Sequence, residues 1–227
     1  MYRLAAFVVA SIALVSSSAA GDCAFSGLAA KVITPANAIV PGDGGIVVAA
    51  VTDHHGALSP GDEAVHPGWR LRVGPDLLKP PIEVIAPGLA IYRVAVANAF
   101  KVELENDKHE VVGTVRPARG SGDPLAAPQL KRAWFEPNHS RHGSERVGVE
   151  VDGAVPATAI ALVVADAKGT PRSWTLVDGQ ALYPYTSASC LALPNGTIGT
   201  KAGDTITVFW VDAGGRRSAA SKPIHVL

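Results

Sequence analysis

The stretch Gly203-Asp-Thr-Ile-Thr-Val-Phe-Trp-Val-Asp-Ala-Gly-Gly-Arg-Arg-Ser218 constrains the fold more than any other part of the chain. Thr205 to Val211 is a β-branched and aromatic run of strand length, the side chains that pack best on a pleated surface. Asp212-Ala-Gly-Gly215 then supplies residues that tolerate positive φ, which a tight reversal requires. A second extended run follows from Arg216 to Val226, so the segment is predicted to be a β-hairpin.

The remainder repeats this pattern of short extended runs and Gly/Pro turns, with no amphipathic helical period. Leu28 to Thr34 is a strand candidate stopped by Pro35, and Pro41-Gly-Asp-Gly-Gly45 is a turn cluster. Ile46-Val-Val-Ala-Ala-Val51 is apolar at every position and suits a central buried strand. Trp69-Arg-Leu-Arg-Val73 alternates, with Trp69, Leu71 and Val73 on one face and Arg70 and Arg72 on a wet basic one. Ile82–Ile85 and Leu89–Val96 follow, and Lys101–Glu105 is expected to pair with Glu110–Val115 across Asn106-Asp107-Lys108-His109. Short strands about ten residues apart are the pattern of an antiparallel sandwich.

Residues 116–130 break that pattern with three prolines, two glycines and no periodicity, the composition of a semi-extended linker. A second strand series begins near Lys131-Arg-Ala-Trp-Phe135 and includes Arg146–Val151, the apolar run Thr158–Ala165, Ser173–Val177 and the closing hairpin. The predicted fold is all-β, with two antiparallel β-sandwich domains in tandem, over 21–115 and 131–227.

Residues 1–20 are expected to be a cleaved signal peptide. Arg3 gives the positive start, Leu4 to Val15 the apolar stretch, and Ser16-Ser-Ser-Ala-Ala20 the small residues before a cut at Gly21. The apolar run falls short of the ~20 residues that span a bilayer, which sets aside the alternative of a retained anchor. No later run is long enough either, so the mature chain is expected in the periplasm or outside the cell, with no membrane span. Two cysteines, Cys23 and Cys190, remain after cleavage, and in an oxidising compartment the simplest reading is one disulfide. Lipidation of Cys23 is the alternative, disfavoured because Asp22 and not a small residue precedes it. A Cys23–Cys190 bridge would cross the linker and hold the two domains as a rigid pair, adding on the order of 5 kcal/mol by chain entropy.

Charge excludes some partners. Lys+Arg and Asp+Glu are 20 each, so no net field draws nucleic acid or an anionic membrane. An aromatic share of 6% also argues against a stacking platform for single strands. The expected partner is a protein or another cell-envelope component.

The terminal hairpin Gly203–Ser218 is similar to the last two strands of the immunoglobulin and fibronectin type III-like modules of exported bacterial proteins. Pro87-Gly-Leu-Ala-Ile-Tyr-Arg-Val-Ala-Val96 resembles the strand that carries the tyrosine corner of those modules. The resemblance casts Tyr92 as the corner residue, its hydroxyl bonded to a backbone group nearby. The chain departs from antibody-type domains, because no Cys…Trp…Cys spacing lies within either half. Such a resemblance implies a fold and no particular function.

For metal chemistry the candidates are Asp53, His54, His55 and His66, with Asp62 and Glu63 in the same polar loop. Imidazole and carboxylate ligands suit zinc or copper(II), although adjacent histidines on extended backbone point in opposite directions. His139 and His142 form a second, sparser cluster in a loop between Pro137 and Gly143. Catalytic signals are missing: no Gly-x-Ser-x-Gly elbow, no phosphate-cradling strand-to-helix loop, and no paired acids placed on a cleft. Glu103, Glu105, Asp107 and Glu110 read as a wet strand face. Trp69 and Trp210 are expected in the core, while Trp134 or Trp174 is a candidate for lining a carbohydrate or partner surface. The reading that follows is an exported, non-enzymatic binding or structural protein; the alternative is an exported copper- or zinc-binding protein using the 53–66 loop.

Overall fold

A strand with no polar face must be covered on both sides, and four runs of this chain are of that kind: 46–50, 89–92, 161–165 and 208–211. In the computed structural model, which describes residues 29–51, 64–94, 99–118, 125–137, 145–177, 181–182, 185–187 and 200–227, all four are buried. The described residues form several antiparallel sheets and contain no helix, hence none long and apolar enough to cross a membrane.

In the first half an inner sheet holds β1 (Ala29–Val32), β3 (Gly45–Val51), β7 (Leu89–Arg93) and β6 (Ile82–Ala86), in the order β1-β3-β7-β6. An outer sheet holds β2 (Ala38–Val40), β9 (Val111–Pro117), β8 (Val102–Glu105), β4 (Arg70–Val73) and β5 (Asp76–Leu78), in the order β2-β9-β8-β4-β5. All these pairings are antiparallel except β2 with β9. In the second half the inner sheet runs β13 (Pro171–Leu176), β12 (Ala159–Asp166), β16 (Thr205–Asp212) and β17 (Ile224–His225). Its outer sheet is β10 (Leu130–Glu136), β11 (Glu145–Val151) and β14 (Ala181–Leu182), with β15 (Tyr185–Ser187) also on β11.

Side-chain alternation on the four inner strands assigns each residue to a core. Ile46, Val48, Ala90 and Tyr92 face the outer sheet of the first half, meeting Leu71, Val102, Leu104 and Val115. Leu162, Val164, Ile206, Val208 and Trp210 face the outer sheet of the second half, meeting Ala133, Val147 and Val149. Their neighbours of opposite parity meet each other: Val47, Ala49, Leu89 and Ile91 pack on Ala161, Val163, Phe209 and Val211 in a third core between the halves. The molecule is therefore a stack of sheets, outer–inner–inner–outer. Each large aliphatic or aromatic side chain buried in this middle core contributes roughly 1.5–3 kcal/mol, more than any single polar tie across it.

The predicted hairpins form. Val102–Glu105 pairs with the strand after a turn in which His109 has φ 62°, and Asn106 Oδ1 accepts from Lys108 N and Glu110 N. The 203–226 hairpin forms with an irregular return strand. Ser218 N donates to Trp210 O while Trp210 N donates to Ser218 Oγ, and Ser221 makes the same exchange with Val208. Two serine hydroxyls thus stand in for backbone carbonyls in the ladder. Between β9 and β10, Leu125 packs against the second-half core and Pro128 is buried, and Leu130 at the start of β10 packs on the same core. The sequence placed the rigidity of the pair in a linker and a disulfide. Cys23 and Cys190 lie outside the described residues, and the middle core is a contact the sequence reading did not foresee.

Candidate functional site

The junction between the halves is built from two glycine-rich turns. Asp212 is 3% exposed and organises its own turn: Oδ1 accepts from Gly214 N and Arg216 N, both at 2.9 Å, and Oδ2 from Arg216 Nε at 2.8 Å. Turned back in this way, Ala213 O accepts from Thr34 Oγ1 at 2.8 Å, and Gly214 O accepts from Gly45 N at 2.8 Å. Gly215, at φ 78°, lies so close to Ile91 that a Cβ there would fall 2.2 Å from Ile91 Cδ1. Trp174 adds a further tie, its Nε1 donating to Pro87 O at 3.0 Å. At the rim, Arg217 Nη2 and Arg93 Nη2 both reach Glu83, at 3.0 and 2.6 Å. The Arg93 guanidinium, with Arg217 beyond it, holds the Glu83 carboxyl below the usual carboxylate range. These contacts tie the two halves together through backbone turns and the Glu83 ion pairs.

The outer face of the β2-β9-β8-β4-β5 sheet is polar and partly ion-paired. Arg72 clamps Glu105 with two nitrogens, Nη2 donating to Oε2 at 3.0 Å, and His109 Nδ1 lies 3.8 Å from the same carboxylate. The Arg72 guanidinium holds the Glu105 carboxyl low. Glu105 is 3% exposed, so the reading of this strand as an ordinary wet face is corrected at this position. The signal was present in the sequence as Arg70/Arg72 on one strand and Glu103/Glu105 on its neighbour. Lys101 pairs with Glu103 at 2.5 Å. At the end of the face, Ile39 stands beside Arg116 in the parallel register, and the Arg116 guanidinium lies 5.6 Å over the ring of Phe100. Ile39 is 73% and Phe100 83% exposed.

Of the proposed metal ligands, Asp53, His54 and His55, with Asp62 and Glu63, lie outside the described residues; His66 lies within them. Its ring stacks on Trp69 at 4.4 Å and 12°, and its Nε2 is buried with no hydrogen-bond partner among the described residues. Its backbone N donates to the Tyr92 hydroxyl at 2.7 Å, while that hydroxyl donates to Ala64 O at 3.0 Å. Burial pushes the Tyr92 phenol up to about 12. The Tyr92 hydroxyl does bond backbone, but at positions 26 and 28 residues upstream, where a tyrosine corner bonds only a few residues back. Tyr92 thereby ties down the backbone at Ala64 and His66. No group of three or more His, Cys, Asp or Glu able to hold a metal forms among the described residues. His139, His142, Cys23 and Cys190 are outside them.

The tryptophans divide clearly. Trp69, Trp174 and Trp210 are buried, which removes Trp174 as a surface candidate. Trp134 is partly exposed, lies flat across Gly148, carries Arg132 4.8 Å over its ring and donates from Nε1 to Glu136 at 2.7 Å. Its ring compensates for the missing side chain of Gly148 on the neighbouring strand. No protein-family model and no curated protein sequence matches this chain.

Proposed function

We propose that the chain is an exported, non-enzymatic binding or structural module, two immunoglobulin- or fibronectin type III-like sandwiches following a cleaved signal peptide, working in the periplasm or outside the cell. Strand order supports the sandwich reading. With β1 and β2 counted as one split edge strand, the first half alternates its strands between sheets as ABED and GFCC′ arrangements do. The binding role rests on one observation. Ile39 and Phe100, 73% and 83% exposed, stand at one end of the outer sheet of a scaffold whose other large side chains are mostly packed into cores. Contact surfaces on sandwiches lie on such outer faces, sheet edges and loop ends. The test is to immobilise the mature chain, challenge it with envelope extract, and assay the same preparation on ester, peptide and glycan panels. A stoichiometric partner with no turnover is the expected result; turnover on any panel refutes the reading.

A second reading is favoured by the orphaned Nε2 of His66: an exported copper- or zinc-binding protein using Asp53, His54, His55 and His66. A stacked, backbone-anchored imidazole whose buried nitrogen lacks a partner is chemically suited to a metal. Metal retained through purification and lost in both His54→Ala and His66→Ala would establish it; a metal-free native mass after incubation with zinc or copper(II) would end it.

A further inference from the structure

Resting on the binding-module reading, we infer that the Ile39–Arg116–Phe100 row docks a protein segment that presents one carboxylate beside an apolar side chain. The argument is a charge inventory of the outer face. Arg72 is committed to Glu105, and Lys101 to Glu103. Arg70 donates from Nη1 to the carbonyls of Pro67 and Trp69. Arg116 is left with no carboxylate among the described residues, its guanidinium carbon 5.6 Å over the Phe100 ring. Arg116 is therefore an uncompensated cation framed by two apolar side chains, Ile39 at 73% and Phe100 at 83% exposure.

Complementarity to that arrangement is specific in kind. A guanidinium held over a ring by a cation–π contact keeps its N–H donors available, and a carboxylate fits their fork with two parallel hydrogen bonds. Ile39 and Phe100 supply the apolar contact on either side, and aromatic and Arg residues are the side chains enriched in protein–protein interfaces. A polyphosphate or nucleic acid needs a row of cations, and the two on this face without a carboxylate, Arg116 on β9 and Arg70 on β4, are separated by β8 with Glu103 and Glu105. The structure therefore favours an acidic, apolar protein segment over a polyanion.

The test pans a random dodecapeptide display library on the wild-type chain, with counter-selection on the Arg116→Gln/Phe100→Ala double variant. Both positions are exposed, so an unchanged melting temperature verifies the variant's fold. The expected pool is enriched in Asp or Glu adjacent to an apolar residue. A synthetic winner is expected to bind the wild type at least about tenfold more tightly than Arg116→Gln, and to weaken with salt. Winners that bind both proteins equally would overturn this assignment while leaving a binding role elsewhere on the molecule. A pool without acidic residues, or tighter binding of polyphosphate than of the peptide, would also overturn it. Failure of any peptide to enrich on either protein would count against both the assignment and the binding-module reading.

Discussion

Replacing Gly215 by alanine tests whether the two halves are one cooperative unit. The residue sits at φ 78°, where a side chain costs about 1–2 kcal/mol relative to glycine. The new methyl would fall 2.2 Å from Ile91 Cδ1 and 2.8 Å from Cγ1. Ile91 is 0% exposed and sits in the middle core, so its terminal methyl has no empty space to move into. Overpacking a filled core costs typically 1–3 kcal/mol. Together, Gly215→Ala is expected to lose about 2–5 kcal/mol in urea unfolding at unchanged slope. Amide exchange at Val48 and Val208, on strands of different halves, is expected to accelerate together. Ile91→Val removes the offending methyl, and in that background the alanine is expected to cost about 1 kcal/mol less, a coupling a double-mutant cycle reads directly. A loss under about 0.5 kcal/mol, or acceleration confined to one half, would refute the claim that this turn locks the stack.

Tyr92→Phe leaves Ala64 O and His66 N without their hydroxyl partner and is expected to cost about 1–3 kcal/mol, read by urea titration. Exchange should rise first at the amides of 64–66. Trp174→Phe removes the bond to Pro87 O along with core volume, and is expected to lower stability by about 1–3 kcal/mol without changing the outer face. Acid should weaken the fold through Glu83, Glu105 and Glu150, each held low by its guanidinium or ammonium partners. Their contribution is full above the unfolded value near 4.5 and disappears as pH falls through the lower native values, so the urea midpoint should drop below that point. Glu105→Gln should flatten that limb; an unchanged limb would show that the Arg72 pair carries no proton linkage.

Local strand chemistry was legible from residues alone. The hairpin at 203–226, the 102–117 hairpin and the alternation of Trp69–Val73 all follow from side-chain parity and turn residues that tolerate positive φ. The middle core was only half legible. Ile46–Val51 and Thr158–Ala165 announced strands without a wet face, yet nothing in either run says that each is the other's cover. That relation depends on contacts far apart in sequence. Glu105 was misread although its partner strand carried the cations: Arg72 lies opposite Glu103 and reaches diagonally to Glu105, a choice of partner that alternation alone does not specify. The candidate ligand loop is anchored at His66, whose link to Tyr92 joins positions too distant for a local motif to reveal.

The doubly covered inner sheets also put synthesis in a particular order. Val47, Ala49, Leu89 and Ile91 are in place once β9 has been made at Pro117, but their cover includes Phe209 and Val211 on the last long strand. Until that last strand docks, a folded first half would display the apolar face of Val47, Ala49, Leu89 and Ile91, the kind of surface that holdase chaperones grip and that neighbouring chains adhere to. A chain stopped at Ala118 should accordingly be recovered aggregated or chaperone-bound, whereas the full-length chain should not, and a soluble, monomeric 21–118 fragment would contradict this.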